Sequence, residues 1–213
     1  MSRILITVNP CFPRSGHRFL RNICKDYFGK QMVFKSVHDM KHCEIENANF
    51  IKDHDFGLQT GEAGRAITPE AQYLVQIRHP LESVQSYFEF RVHHGRMENS
   101  AESWAAFLPL ALGYWKAFVT KWCFEAKELD GRRHIVRYGD LYTDTIATVI
   151  PIITFLTGGY EEIDRDRLSW AVARHSEGFA RYAEDQVKDN KTVSKARDIR
   201  NFAYFEDSLY EIE

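Results

Sequence analysis

Residues 13–19 combine turn-forming residues with cationic side chains, in the order Pro-Arg-Ser-Gly-His-Arg-Phe. They follow an apolar run, Ile4–Val8, that predicts a strand, and they lead into residues 17–28, whose apolar spacing predicts a helix. A tight turn between a strand and a helix directs backbone N–H groups at an anion, and the helix N-terminus adds about half a positive charge. Arg14 and Arg18 add fixed charge, so we predict a phosphate-binding loop. It is not a Walker A motif, because Gly-Lys-Ser/Thr does not end it.

A second anion-binding pattern follows the apolar run 73–77, which predicts a buried strand. The residues from 78 to 88 read Arg-His-Pro-Leu-Glu-Ser-Val-Gln-Ser-Tyr-Phe. Arg78 can form bidentate hydrogen bonds with a phosphate, and Ser86, two turns into the following helix, can point back at the same anion. A third block, Arg-Tyr-Gly-Asp-Leu, occupies residues 137–141.

Together these three blocks resemble the nucleotide-binding segments of sulfotransferases that use 3′-phosphoadenosine 5′-phosphosulfate (PAPS). Pro-Arg-Ser-Gly-x-x-Phe and Arg-x-Pro-x-x-Ser-x-x-Ser-Tyr-Phe are similar to the two signatures of the family. The third block looks like its Arg-Tyr-Glu-Asp-Leu segment, with Gly139 in place of Glu. The blocks occur in the family's order and frame residues 3–157. The resemblance implies a three-layer α/β fold, with a mainly parallel sheet flanked by helices as in P-loop NTPases.

The resemblance also implies which residues hold the phosphates of PAPS. The 5′ phosphate would lie against backbone N–H groups of Ser15, Gly16, His17 and Arg18, assisted by the Arg14 side chain. Arg14 stands where the family usually has Lys, and His17 and Arg18 stand where it has small hydroxyl residues. The 3′ phosphate would lie against Arg78 and Ser86.

Aromatic side chains would hold the adenine of the same co-substrate. Phe19 matches an aromatic residue that the family stacks on the base, and Phe179 would supply the opposite face. Tyr138 would meet the edge of the base. Lys195, or Lys191 in another register, would complete the 3′-phosphate site.

The strand predicted at residues 49–52 ends in Lys-Asp-His-Asp. Ligands of parallel α/β sheets bind at the carboxyl ends of the strands. Lys52-x-His54 matches the family's Lys-x-His motif, which implies that His54 is the general base for an acceptor hydroxyl or amine. Arg14 and Lys52 would neutralise charge that develops on the bridging and equatorial oxygens. Glu62 is the alternative base.

No metal is expected, because the implied cations are side chains. His38, His42 and Cys43 suit zinc in part, since histidines four residues apart share a helix face, but no further ligand stands at a recognisable spacing. We interpret them as exposed polar residues.

Two other functions fit parts of the pattern. A small-molecule kinase of P-loop type would need Mg²⁺ and ATP, and neither Gly-Lys-Ser/Thr nor a clear Mg²⁺-binding Asp supports it. A non-catalytic protein that kept the fold would bind 3′-phosphoadenosine 5′-phosphate (PAP), the product nucleotide, and transfer nothing. The altered phosphate loop favours that alternative, whereas Lys52 and His54 speak against it.

Length and composition indicate one globular domain over residues 1–213. The resemblance implies that its irregular C-terminal part, residues 175–213, completes the nucleotide site. The chain is 44% hydrophobic with a net charge of −2, which does not suggest nucleic-acid or membrane partners. Its four cysteines form no C-x-x-C pair, which suits reduced thiols. We expect a cytoplasmic enzyme with a small-molecule or carbohydrate acceptor.

Hydrophobic periodicity predicts the remaining elements. An aromatic stripe from Trp104 to Trp122 indicates a core-facing helix, which Pro109 should kink or divide. Strands are predicted at 3–8, 31–36, 49–52, 73–77 and 134–138, and further helices at 81–92, at 145–156 and after an Asp164 cap.

Overall fold

The computed structural model describes residues 4–37, 48–160, 162–185 and 199–206 of the chain. Five parallel strands form a single sheet in the order β2-β3-β1-β4-β5. The strands are β1 (Thr7–Pro10), β2 (Phe34–Ser36), β3 (Phe50–Asp53), β4 (Gln72–Ile77) and β5 (Arg133–Arg137). The helices are α1 (His17–Phe28), α2 (Pro80–His93), α3 (Ala101–Val119), α4 (Tyr138–Thr143), α5 (Thr145–Leu156) and α6 (Arg165–Asp185).

Two hydrophobic cores cover the two faces of this sheet. Successive side chains of a strand point to opposite faces, and in β4 Leu74 belongs to one core while Tyr73 and Val75 belong to the other. The first core holds α1, α5 and α6 against the sheet, and the second holds α2 and α3. The three-layer α/β fold with a parallel sheet is therefore confirmed.

The strand order places one end of β1 at the centre of the molecule. β1 lies between β3 and β4, and parallel strands end at the same edge of the sheet. After β1, the Cys11 N–H donates to Asp53 O at 2.8 Å and the Phe12 N–H donates to Gln76 O at 3.1 Å. The segment that follows β1 is thus held between the ends of β3 and β4.

Several elements differ from the sequence prediction. The first strand is Thr7–Pro10 rather than 3–8, and α3 continues through Pro109 without dividing, before the π-helical turn Thr120–Glu125. Proline in a helix interior costs about 3 kcal/mol, whereas each buried aromatic side chain contributes about 1.5–3 kcal/mol. Buried Trp104, Phe107, Tyr114 and Phe118 on α3 outweigh that cost.

The C-terminal part is more regular than predicted, because α6 continues past residue 175 to Asp185. Asp164 caps its N-terminus as predicted, and its Oδ1 accepts from the Arg167 N–H at 2.9 Å. His175 Nε2 lies 2.9 Å from Asp26 Oδ2, which joins α6 to α1 beyond the predicted end of the helix. None of the described helices is both long and apolar enough to cross a membrane.

Candidate functional site

The loop between β1 and α1 has an unusual backbone. Arg14 and Gly16 both adopt the left-handed conformation, with φ of 70° and 86°. The Ser15 N–H and hydroxyl both donate to Phe12 O, at 3.2 and 2.7 Å, which closes the turn. A Cβ atom at Gly16 would lie 2.6 Å from the ring of Tyr138, so both the backbone and the contact require glycine there. The loop leads directly into the N-terminus of α1.

The Arg14 side chain joins this loop to the second block of the sequence. Its Nε donates to Ser86 Oγ at 3.0 Å, and its guanidinium lies 5.4 Å from the centre of the Phe90 ring. Burial, followed by the charge of Arg78, lowers the pKa of Arg14 to about 10. Arg14 therefore remains charged at neutral pH.

Arg78 joins the loop to the third block. Its Nη1 lies 3.4 Å from Arg14 O, and its guanidinium stacks 4.3 Å from the centre of the Tyr138 ring. Glu82 Oε2 accepts from its Nε at 3.0 Å, and Trp115 Nε1 donates to its backbone carbonyl at 3.0 Å. The guanidinium groups of Arg14, in the loop after β1, and Arg78, directly after β4, thus lie at the ends of neighbouring strands.

His54 lies on the other side of the loop, directly after β3. Its Nδ1 is 2.6 Å from Cys11 O, which can only accept, so the ring donates from Nδ1 and carries its lone pair at Nε2 when neutral. The Tyr114 hydroxyl donates to the His54 carbonyl. Lys52 stands opposite Asn9 in the register of β3 and β1. Both residues of the Lys-x-His motif therefore lie at the carboxyl edge of the sheet, next to the loop.

A buried carboxylate holds the segment that follows His54. Asp55 Oδ2 accepts from Lys121 Nζ at 2.8 Å and from Trp122 Nε1 at 2.9 Å, and its Oδ1 accepts from the Arg65 N–H at 2.5 Å. The Arg65 side chain also pairs with Asp53. Sequence reasoning missed this network.

Aromatic side chains of α3 and the turn after it have a second part in the site. The aromatic stripe predicts a core position for Trp115 and Trp122, and both pack there together with Tyr114. Each of the three also donates a hydrogen bond to a site segment. A buried Tyr or Trp usually has a hydrogen-bond partner for its O–H or N–H, so the sequence could have indicated that these residues bond to a neighbouring segment.

Other predicted residues lie further from this centre. Arg18 is exposed, and Phe19 packs in part against the core of α1, α5 and α6. Glu62 is exposed, with its carboxylate next to Gly57. Phe179 lies on α6, in the part whose side chains are outside the described residues. Lys191, Lys195, His38, His42 and Cys43 are also outside them. No group of three or more His, Cys, Asp or Glu residues able to hold a metal occurs in the described ranges.

Comparison with known proteins identifies the fold of this chain through a solved structure. No protein-family model and no curated protein matches the chain. A mouse sulfotransferase, SULT7A1, complexed with PAP has a similar structure, with a TM-score of 0.64 and 17% sequence identity. The match covers 94% of this chain and 74% of the mouse chain. A sulfotransferase of Alicyclobacillus acidocaldarius matches at a TM-score of 0.46 and 12% identity, over 87% of this chain and 97% of that one. The match to the mouse protein shows that the chain has the fold of a sulfotransferase.

Proposed function

We propose that this protein is a PAPS-dependent sulfotransferase. The observation that carries the proposal is the convergence of Arg14, Ser86, Arg78 and Tyr138, from three segments of the chain, on one left-handed loop. Three sequence blocks that are far apart in the chain thus form a single cationic surface at the edge of the sheet. The fold of a sulfotransferase that binds PAP is consistent with this proposal.

The cationic surface suits a nucleotide with two separate phosphate groups. In our proposal the backbone N–H groups of Ser15, Gly16, His17 and Arg18 and the Arg14 side chain bind the 5′ phosphosulfate. Arg78 and Ser86 bind the 3′ phosphate. The Glu82 side chain of the Arg78–Glu82 ion pair is 37% exposed, so it can turn to solvent and leave Arg78 to bind a phosphate.

Transfer then requires an in-line displacement at sulfur. An acceptor oxygen or nitrogen forms a bond to sulfur while the bond from sulfur to the 5′-phosphate oxygen breaks, and PAP leaves. His54 Nε2 takes the proton of the acceptor, since its Nδ1 already donates to Cys11 O. Lys52 and Arg14 neutralise the negative charge on the bridging oxygen, which leaves with PAP, and on the equatorial oxygens of the sulfuryl group.

Calorimetric titration tests the nucleotide site first. We expect PAP to bind with a micromolar dissociation constant and ATP with Mg²⁺ to bind much more weakly. Preference for ATP with Mg²⁺ would favour the kinase, and absence of binding by both would contradict a nucleotide site.

Transfer is tested separately with sulfur-labelled PAPS and a panel of phenols, alcohols, amines and sugars. Labelled product with any acceptor class supports an enzyme and identifies its acceptor. PAP binding without transfer to any of them would instead support the non-catalytic alternative.

A further inference from the structure

The imidazole of His17 turns back from the first residue of α1 toward the end of β1. Its Nδ1 lies 2.7 Å from Asn9 Oδ1. The Asn9 amide nitrogen donates to Leu74 O at 2.5 Å, which fixes the orientation of the amide and leaves Oδ1 to face the ring. His17 therefore donates from Nδ1, and in the neutral ring its lone pair lies on Nε2.

That Nε2 atom is buried and has no hydrogen-bond partner among the described residues. Buried polar atoms are paired in about nine cases of ten, so an unpaired one indicates a ligand or water that completes it. The atom belongs to the residue that begins α1, and the first backbone N–H groups of a helix have no partner within the helix.

Cationic groups from two elements act on the His17 ring. The cations are Lys52 on β3 and Arg21 and Arg18 on α1, and His54, directly after β3, is a further titratable neighbour. The Phe34 ring of β2 covers a further side, with its centre 5.8 Å from that of His17. Burial first, and then these cations, hold the pKa of His17 well below its usual value. The ring is therefore neutral at pH 7.

A neutral ring presents a lone pair, which repels an anionic oxygen. An anion in the loop offsets the positive charge of the surrounding cations. This raises the pKa of His17 and favours the protonated ring. We propose that His17 takes up a proton from solvent when the anionic part of the nucleotide enters the loop, and that its new Nε2–H then binds that anion. This inference rests on the proposed nucleotide site and makes nucleotide binding depend on pH.

Proton uptake is measured by calorimetric titration with PAP in two buffers of different ionisation enthalpy, at pH 6.5. PAP itself titrates in this range, so the quantity of interest is a difference between proteins. We expect wild type to take up more protons per PAP than His17→Gln, by up to one. Its affinity should also rise relative to the variant as pH falls from 7.5 to 6.0. The control is His134→Gln, a change of a half-buried histidine that lies on β5. Its proton uptake and its affinity for PAP should equal those of wild type.

Equal proton uptake by wild type and His17→Gln, with PAP bound by both, would overturn the inference while leaving the nucleotide site intact. No PAP binding by wild type would overturn the proposed function and this inference together. Nitrogen NMR of the wild-type histidines gives a second test that needs no variant. We expect a neutral ring protonated at Nδ1 without PAP and an imidazolium with it, and a ring that stays neutral would contradict the proposal.

Discussion

The left-handed backbone at Arg14 directs its side chain to Ser86 and brings two guanidinium groups to one loop. A non-glycine residue in this conformation costs roughly 1–2 kcal/mol. Charge of the same sign accumulates at Arg14 and Arg78, and after burial the charge of Arg78 is the next cause that lowers the pKa of Arg14. In our proposal an anion in the loop relieves that repulsion, which favours its binding at the scale of single residues.

Substitutions of Arg78 and Glu82 should have different effects on PAP affinity. Arg78→Ala removes a charge-assisted contact, which is worth about 1.5–3 kcal/mol, so PAP affinity should fall by roughly 10- to 150-fold. Glu82→Gln removes the carboxylate that pairs with Arg78 at 3.0 Å and should leave PAP affinity equal or higher. Calorimetry measures both. Equal affinity of wild type and Arg78→Ala would remove Arg78 from the proposed site.

Substitutions of His54 and Glu62 show which of the two residues is the general base. His54→Asn keeps a side-chain donor near Cys11 O but has no basic nitrogen, so transfer from labelled PAPS should fall by about 100-fold or more while PAP affinity stays within about twofold. Glu62→Gln, at an exposed position, should transfer at the wild-type rate. The reverse result, an active His54→Asn and an inactive Glu62→Gln, would make Glu62 the base.

At the scale of elements, local sequence patterns located most helices and strands. Helix α1 begins and ends where the apolar spacing predicted, at His17 and Phe28, and Asp164 caps α6. Of the two effects expected of Pro109, a kink or a division of the helix, the division does not occur, because a local rule for proline cannot weigh the burial of the aromatic stripe on α3.

Contacts within the site were beyond sequence reasoning for a different reason. Arg14 and Ser86 are 72 positions apart, and Tyr114 and His54 are 60 apart. Only the strand order brings them together, and residue spacing carries no information on that order. The resemblance supplied residue roles for Arg14, Ser86 and His54, but it gave no role to Asp55, Lys121 or Trp122.

The Asp55 network makes a prediction about the segment that carries His54. Lys121→Met would leave the Asp55 carboxylate without its cation, at a cost of about 3 kcal/mol in the free energy of unfolding. Because Asp55 follows His54 directly, turnover should fall more than PAP affinity. Urea denaturation and calorimetry measure these effects.

Lys116→Met is the matched control, since Lys116 is an exposed lysine of α3. Its effect on the free energy of unfolding should stay within about 0.5 kcal/mol. If the two substitutions changed the free energy of unfolding equally, the Asp55–Lys121 ion pair would not contribute to stability.

At the scale of the whole molecule, the folded state lowers the pKa of two histidines. Burial and neighbouring cations lower the pKa of His17, and burial lowers the pKa of His134. An unfolded histidine has a pKa of about 6.5, so below that pH the unfolded chain binds more protons than the folded one. The free energy of unfolding of the ligand-free protein should therefore fall as pH decreases below about 6.5.

The loss at pH 5.5 relative to pH 7.5 is about 1.4 kcal/mol at most for each histidine that stays neutral in the folded state. Urea denaturation at both pH values measures it. His17→Gln and His134→Gln should each lose less stability than wild type over this interval, because glutamine binds no proton in either state. His17 should account for more of the loss, since cations reinforce the effect of its burial. If both variants lost as much stability as wild type, acid sensitivity would have to arise from other groups, and neither ring would be held neutral by the fold.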